Sequence, residues 1–474
     1  MKTIMVFFFT FSLFTVIAQK RTGLNDNGIT SKIYFDSTKL HRIDSIIEKG
    51  REQIKLPGVS TAIMQSGKII LAKGYGFADR KNKTPASEFT IYPIGSLSKQ
   101  FTAAAIMKLV ERGKLYLDDP VAKYLPEYKN VAKPTLLIRH LLQQTSGIPE
   151  WDDLPEMAAV DTSNSDSFTL TKIINVLGHQ KQLYPPGYWW SYSNSNYSLL
   201  AAVIERISGK TYKEYLNENF FVPLNLHSTS SCEPAKESPS DMEATGYLAS
   251  EDSFKLRPLS TTKAHAYIGC GGLCSNAIDL TAWMHDLVNG KAVSLASYNQ
   301  MITPSPVTAG FTPPYGFALS VNPFVNQPAV WHIGVLAGYT SVLLYLPKQD
   351  IIIAMLANSR HALLQSVVRN VTRELLHLQA PVIHDLPLNA TVIKHSIGNY
   401  DDGMFKFSII EKSDHLFLNV PDLGDPMQLY YQGKNEFITA EPAMIHLRFE
   451  PANDVAQRID WDWGEIRAYG RRIQ

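Results

Sequence analysis

Ile94-Gly95-Ser96-Leu97-Ser98-Lys99-Gln100-Phe101 decides how the rest of the chain is read, because a long apolar helical pattern starts on it. Phe101, Ala104, Ala105, Ile106, Leu109 and Val110 follow at helical spacing until Gly113 stops the run. A serine in the first turn with a lysine three residues on places hydroxyl and amine on one face. A serine hydroxyl attacks poorly until a neighbouring base takes its proton. The helix start adds backbone N–H groups that favour developing negative charge. The spacing alone is weak. Ser260-Thr261-Thr262-Lys263 repeats it, but a Gly-rich stretch follows, so that copy is read as a decoy. Without further elements, Ser96 reads equally well as a helix cap.

Outward from this point, the chain divides by texture. Leu40–Ile54 has a helical period, and Val59–Met64 and Ile69–Tyr75 are strand-like runs joined at Ser66-Gly67, a hairpin signal. Helical periods and Pro/Gly loops dominate the middle, including Leu136–Gln144, Tyr197–Ile207 and Ile278–Val288. Strand signals return at Ala329–Ile333, Thr340–Leu346 and Ile351–Ala357, followed by a helix from Ala362 to Leu378. Strands at both ends with helices between predict an α+β unit whose antiparallel sheet is assembled from both termini, beside a helical subdomain. After a Pro-marked connector, period-two runs such as Phe405/Phe407/Ile409 and Leu416/Leu418/Val420 predict a small all-β barrel or meander. The expected division is 1–18, 19–380, a linker at 381–396 and a β-domain at 397–474.

Lys2, the apolar run Ile4–Ile17 and Ala18 predict a cleaved secretory signal, hence a secreted or periplasmic protein with no membrane span after cleavage. Without residues 1–18 the 45 basic residues become 44, equal to the 44 acidic ones. That neutrality, with no basic block, gives no reason to expect nucleic acid as a partner. Cys232, Cys270 and Cys274 are too few for a disulfide scaffold and form no zinc pair. One bridge with one thiol left over is open, but small buried residues are the expectation.

Two further segments bear on Ser96. Pro186-Gly187 leads to Tyr192-Ser193-Asn194 in a polar loop before a helix. A tyrosine oxygen near an ammonium can hold a lowered pKa and accept a proton, and the asparagine amide can fix a substrate carbonyl. Tyr-x-Asn also occurs at Tyr128 and Tyr215, so the context carries the signal. Trp331-His332-Ile333-Gly334 lies at the end of a strand, and no other His-x-Gly occurs among thirteen histidines. A donor there can orient a substrate's polar end, and a glycine permits close approach to the backbone. Val335, just beyond, can add a second N–H to that of Ser96 in an oxyanion hole.

In this order the three segments resemble the serine hydrolases of the class C β-lactamase and D,D-peptidase superfamily. Leu117-Asp118-Asp119-Pro120-Val121, Ile138–Leu142 with Thr145-Ser146-Gly147-Ile148-Pro149, and Gly271-Gly272-Leu273 extend the likeness over roughly residues 40–378. The resemblance implies that Ser96 is acylated, that Lys99 and Tyr192 share the general-base work, and that Asn194 binds the acyl-side amide. It implies that His332 and Gly334 border the substrate strand, and that neither metal nor cofactor is needed. True β-lactamases of this group usually carry lysine where His332 stands. Histidine, mostly neutral at neutral pH, points to a D-alanyl-D-alanine carboxypeptidase, D-peptidase or esterase acting on small molecules or short D-peptides, with weak β-lactamase activity. The alternatives are a penicillin-binding sensor that acylates without turnover, and a true class C-like β-lactamase. The C-terminal module resembles the somewhat lipocalin-like domains often appended to this family.

Overall fold

Tyr339–Leu346 and Ile351–Ala357 are apolar at nearly every position, and each is buried along its whole length. Alternate residues serve different cores: Leu343, Tyr345, Ile352, Ala354 and Leu356 join one cluster, while Val342, Leu344, Ile351, Ile353 and Met355 join another. A strand apolar on both faces must be covered on both. This computed structural model describes residues 37–128, 135–158, 169–232, 242–248, 257–258, 264–359, 364–380, 382–401, 406–421, 426–440, 445–450, 455–463 and 466–473. The signal segment and the Ser260–Lys263 decoy lie outside them.

Six strands form the main sheet: β1 (Gly58–Gln65), β2 (Lys68–Asp79), β3 (Thr84–Pro85), β4 (Val330–Leu336), β5 (Tyr339–Leu346) and β6 (Ile351–Ala357). Their order is β3-β2-β1-β6-β5-β4, so β1 pairs antiparallel with a strand from the far end of the same domain, Val59 facing Ala357. Ser66 and Gly67 both take positive φ and close the β1–β2 hairpin. One face of the sheet is covered by α1 (Ser37–Gln53) and α5 (Leu364–Leu376), through Ile43, Ile47, Val367 and Val371. The other is covered by α2 (Ser98–Glu111), α3 (Asn194–Ser208) and α4 (Ala277–Val288), within one large apolar cluster. The antiparallel α+β arrangement expected from the strand positions is present.

The connector then meets a short helix, Ala390–Ser396, before the chain closes an eight-stranded antiparallel barrel from Gly398 to Ile473. That helix lies where a linker was expected; it puts Val392 into the barrel's apolar core, which explains why it is ordered. Inward positions alternate with outward ones, as the period-two runs require. No helix among the described residues is long and apolar enough to cross a membrane.

The cysteine expectation is corrected. Cys232 and Cys274 are disulfide-bonded, while Cys270 is a buried free thiol. The strand Leu273–Ser275 brings Cys274 beside Ser230 and Pro93, a proximity no spacing rule reveals.

Candidate active site

The serine expected in the first α-helical turn lies one step earlier, in a 3₁₀ turn, Gly95–Leu97, that runs directly into α2. Gly95 has φ +52°, and a side chain there would start 2.9 Å from the Val335 nitrogen. The turn is held from behind: Ile94 N–H donates to Leu273 O at 2.9 Å, and Ser98 Oγ accepts from Leu273 N–H at 3.1 Å.

Lys99 is fully buried, and its Nζ has three hydrogen-bond partners: Ser96 Oγ at 3.0 Å, Asn194 Oδ1 at 2.7 Å and the Cys270 carbonyl at 2.7 Å. The last two can only accept, so they take two N–H donors whatever the state of the amine. The third direction points at Ser96 Oγ. It holds an N–H in the ammonium and a lone pair in the neutral amine, which is the orientation a base for that hydroxyl needs. Burial pulls the ammonium down to about 8, against the opposing pull of Cys270, Glu150 and Asp152.

Tyr192 hydrogen-bonds Ser96, and its ring lies 4.8 Å from Lys99 Nζ. Its phenol is pushed well above the usual range by burial, contrary to the lowered value expected from a nearby ammonium. Desolvation of the phenolate dominates, so Tyr192 keeps its proton near neutral pH. The loop carrying it is clamped on both sides. Ser191 N–H donates to Gln144 O at 2.9 Å, and Ser193 N–H to Gln144 Oε1 at 3.0 Å. Asn194 opens α3, and with Oδ1 engaged by Lys99, its amide nitrogen is the end left for substrate.

His332 sits mid-way along β4, buried, with Nδ1 at 2.6 Å from Ile333 O and Nε2 at 3.0 Å from Tyr315 Oη. A carbonyl can only accept, so Nδ1 carries the hydrogen and Nε2 accepts from Tyr315. Burial, with Lys99 nearby, pushes the imidazole down to about 3, so it is neutral and cannot clamp a carboxylate as a cation. Gly334 also has a packing reason: a Cβ there would lie within clashing distance of Ile94 O. It lets the strand pack on the Gly95–Leu97 turn.

β4 is an edge strand, and Leu336 faces Tyr339 across a two-residue turn. In such a hairpin the flanking pair exchanges ladder bonds, so Gly334 and His332 bond inward and Val335 and Ile333 aim their N–H and C=O groups outward. Trp331 confirms the phase by bonding Ser320 on the outer side. Val335 N–H therefore faces the Ser96 turn, giving two backbone donors beside one hydroxyl.

Sequence reasoning missed several members. Glu150 Oε2 accepts the Asn194 N–H at 2.6 Å, and Tyr267 donates to Asp152 Oδ2 at 2.9 Å. Glu150 directly follows Gly147-Ile148-Pro149, so its place in that framework was the available signal. The Cys270 carbonyl has no sequence signal at all. Tyr315 contacts Trp190 and Tyr192 edge to face, and nothing in Pro314-Tyr315-Gly316 foretells that.

Residues 43–377 match the family model described as Beta-lactamase. The chain belongs to the beta-lactamase family. It is 31% identical over 348 residues to the protein flp of Staphylococcus aureus (strain MW2), covering 71% of this chain and 66% of that one. The chain thus spans slightly under two thirds of that relative's length. The octameric penicillin-binding protein homologue from Pyrococcus abyssi superposes with a TM-score of 0.64 at 25% identity, over 91% of this chain and 100% of that chain. The D-amino acid amidase from Ochrobactrum anthropi SV3, complexed with D-phenylalanine, shares the fold with a TM-score of 0.62 at 22% identity, over 72% of this chain and 98% of the amidase.

Proposed function

We propose that the protein is an exported hydrolase that cleaves amide, peptide or ester bonds of D-amino-acid substrates through an acyl-enzyme on Ser96. The observation that carries this reading is the aim of Lys99 Nζ at Ser96 Oγ, fixed by two obligate acceptors. In the amine form Lys99 takes the serine proton as Oγ attacks the carbonyl carbon. The oxyanion is met by the N–H groups of Ser96 and Val335, and Tyr192 passes its proton to the leaving group. Lys99 returns the proton it holds to Tyr192. Water then adds to the acyl carbon, and Ser96 leaves with a proton returned through the same pair.

A neutral His332 offers a substrate carboxylate no full charge, which favours peptidase, amidase or esterase work over β-lactam turnover. The amidase likeness supports D-amino-acid substrates, and the N-terminal apolar run supports export. Mass spectrometry after brief exposure to a fluorescent penicillin tests the reading. The label is expected on Ser96 and then lost over time. Label on another residue, or none, overturns the mechanism, and label that never leaves assigns the protein as a penicillin-binding sensor.

A further inference from the structure

The short helix Ile138–Leu142 ends on Gln143, and Gln144 follows it with φ +60°. Thr145 N–H donates to His140 O at 2.9 Å and Gln144 N–H to Leu141 O at 3.3 Å, so Gln144 occupies the left-handed position of a Schellman turn. Glycine is the usual occupant there, because a Cβ is strained in that conformation. Gln144 is fully buried all the same, and its polar groups are turned onto the Tyr192 segment. Its carbonyl accepts from Ser191 N–H at 2.9 Å, and its Oε1 accepts from Ser193 N–H at 3.0 Å and from Asn196 Nδ2. Asn196 is itself fixed, because its Oδ1 accepts from Ser146 Oγ. A peptide N–H can only donate, so it is the amide oxygen of Gln144 that faces Ser193.

From this geometry we infer that Gln144 is a positioning residue that aims the Tyr192 phenol, its left-handed backbone placing the carbonyl and the side chain on the residues either side of Tyr192. The inference rests on the proposed role of Tyr192 as the acid for the leaving group. Neighbouring residues hold the same loop farther from the phenol: Gly147 O accepts from Leu183 N–H and Thr145 O from Gly187 N–H, both at 2.8 Å. The two bonds from Gln144 fall directly before and after Tyr192, where they hold the main chain and so fix where its side chain starts. Ser193 and Asn196 are buried, so a side chain without the acceptor leaves two donors unpaired, and the loop must shift to pair them. Glycine at this position relieves the backbone strain but gives up that acceptor. The strain is therefore kept together with the aim of the loop, as strain at a working site is. A displacement of the phenol by 1 Å is enough to cost about 10²-fold in a step that needs it.

The test separates leaving groups. An amide nitrogen must gain a proton to depart, whereas p-nitrophenolate leaves without one. Gln144→Asn tolerates the left-handed backbone, but its side chain is a methylene too short to reach Ser193 N–H. In the full chain, kcat/KM is measured for D-phenylalanine amide and for the p-nitrophenyl ester of D-phenylalanine, which form the same acyl-enzyme. Gln144→Asn is expected to lower the amide value about tenfold or more beyond its effect on the ester, in the direction of Tyr192→Phe. Added to Tyr192→Phe, it is expected to change the amide-to-ester ratio no further, because both act through one phenol. A variant that is only less well folded loses both substrates in equal proportion, so the ratio does not move. Should Gln144→Asn not fold, Gln144→Gly, which adopts this conformation freely, is read in the same way. An unchanged ratio in the folded variant, or effects that multiply in the double variant, overturns the inference. If Tyr192→Phe itself leaves the ratio unchanged, the acid role of Tyr192 falls and the inference with it; if Tyr192→Phe moves the ratio and Gln144→Asn does not, the inference alone falls.

Discussion

Replacing Gly334 with alanine tests whether β4 supplies half of the oxyanion hole. A Cβ on Gly334 would begin 1.9 Å from the Ile94 carbonyl oxygen and 2.4 Å from Ser341 Oγ, whereas ordinary contact starts at 3.4 Å. Ile94 O is backbone and is itself held by Ser341 Oγ at 2.8 Å, so it cannot swing aside. The strand must retreat from the Gly95–Leu97 turn by roughly 1.5 Å to restore contact, carrying Val335 N–H with it. Loss of one preorganised oxyanion donor costs about 10²–10³ in kcat, and overpacking costs about 1–3 kcal/mol of stability. The assay is hydrolysis of an activated ester, with kcat and KM separated, beside thermal unfolding followed by circular dichroism. A kcat reduced about 100-fold or more is expected, with KM within about threefold, because the donor acts on the transition state. Gly338→Ala, in the turn of the same hairpin at φ +82°, is the control that lowers stability while sparing kcat. A folded Gly334→Ala protein with kcat within about threefold of wild type would refute the placement of Val335 N–H.

Ser96→Ala is expected to abolish both acylation and ester hydrolysis, and Lys99→Met to lower acylation by at least ~10²-fold with little change in fold. Because the amine is the active form and burial lowers Lys99 to about 8, acylation should rise with pH and level off above that value. Below it the rate should fall about tenfold per unit, and a profile flat from pH 6 to 9 would exclude Lys99 as base. His332→Asn should leave that acid limb in place, since the imidazole is already neutral there. Reducing the Cys232–Cys274 bridge, which closes 42 residues of chain, should cost up to about 4 kcal/mol in unfolding experiments by loop entropy.

How far these positions were legible depended on whether they lay on a periodic element. The two-sided apolar runs of β5 and β6, the Ser66-Gly67 hairpin and the barrel's alternation are local patterns, and they fell within a few residues of where periodicity put them. Ser96 and Lys99 were legible because a helical start fixes their relation. The phenol's pKa was not: the sign depends on a balance between a cation and desolvation, and only packing reveals the second. Glu150, the Cys270 carbonyl and Tyr315 reach the site from separate loops. No period links them to Ser96, so only coordinates could. The reason for Gly334 was likewise hidden, because the atom it accommodates belongs to a turn about 240 residues earlier.

The barrel's interior is a packed apolar core rich in aromatic rings. Tyr400, Phe407, Phe437 and Phe449 are all nearly or fully buried in its core and pack ring to ring: Tyr400 stacks on Phe407 at 5.7 Å, and Phe437 meets Phe449 edge to face at 5.4 Å. Val392 enters the same cluster from the preceding helix. Among the described residues the interior is thus filled by side chains, as in other small barrels. Lys406 and Arg471 are exposed on its outer face. Two of its cations act there on the hydrolase side: Lys406 on the Asp153 carboxyl and Arg471 on the Tyr184 phenol. Asp153 directly follows Glu150-Trp151-Asp152, and Tyr184 precedes the clamped loop of Tyr192 with its carbonyl against Gly147. The barrel thus bears electrostatically on the segment that follows Glu150 and on the one that leads into the Tyr192 loop.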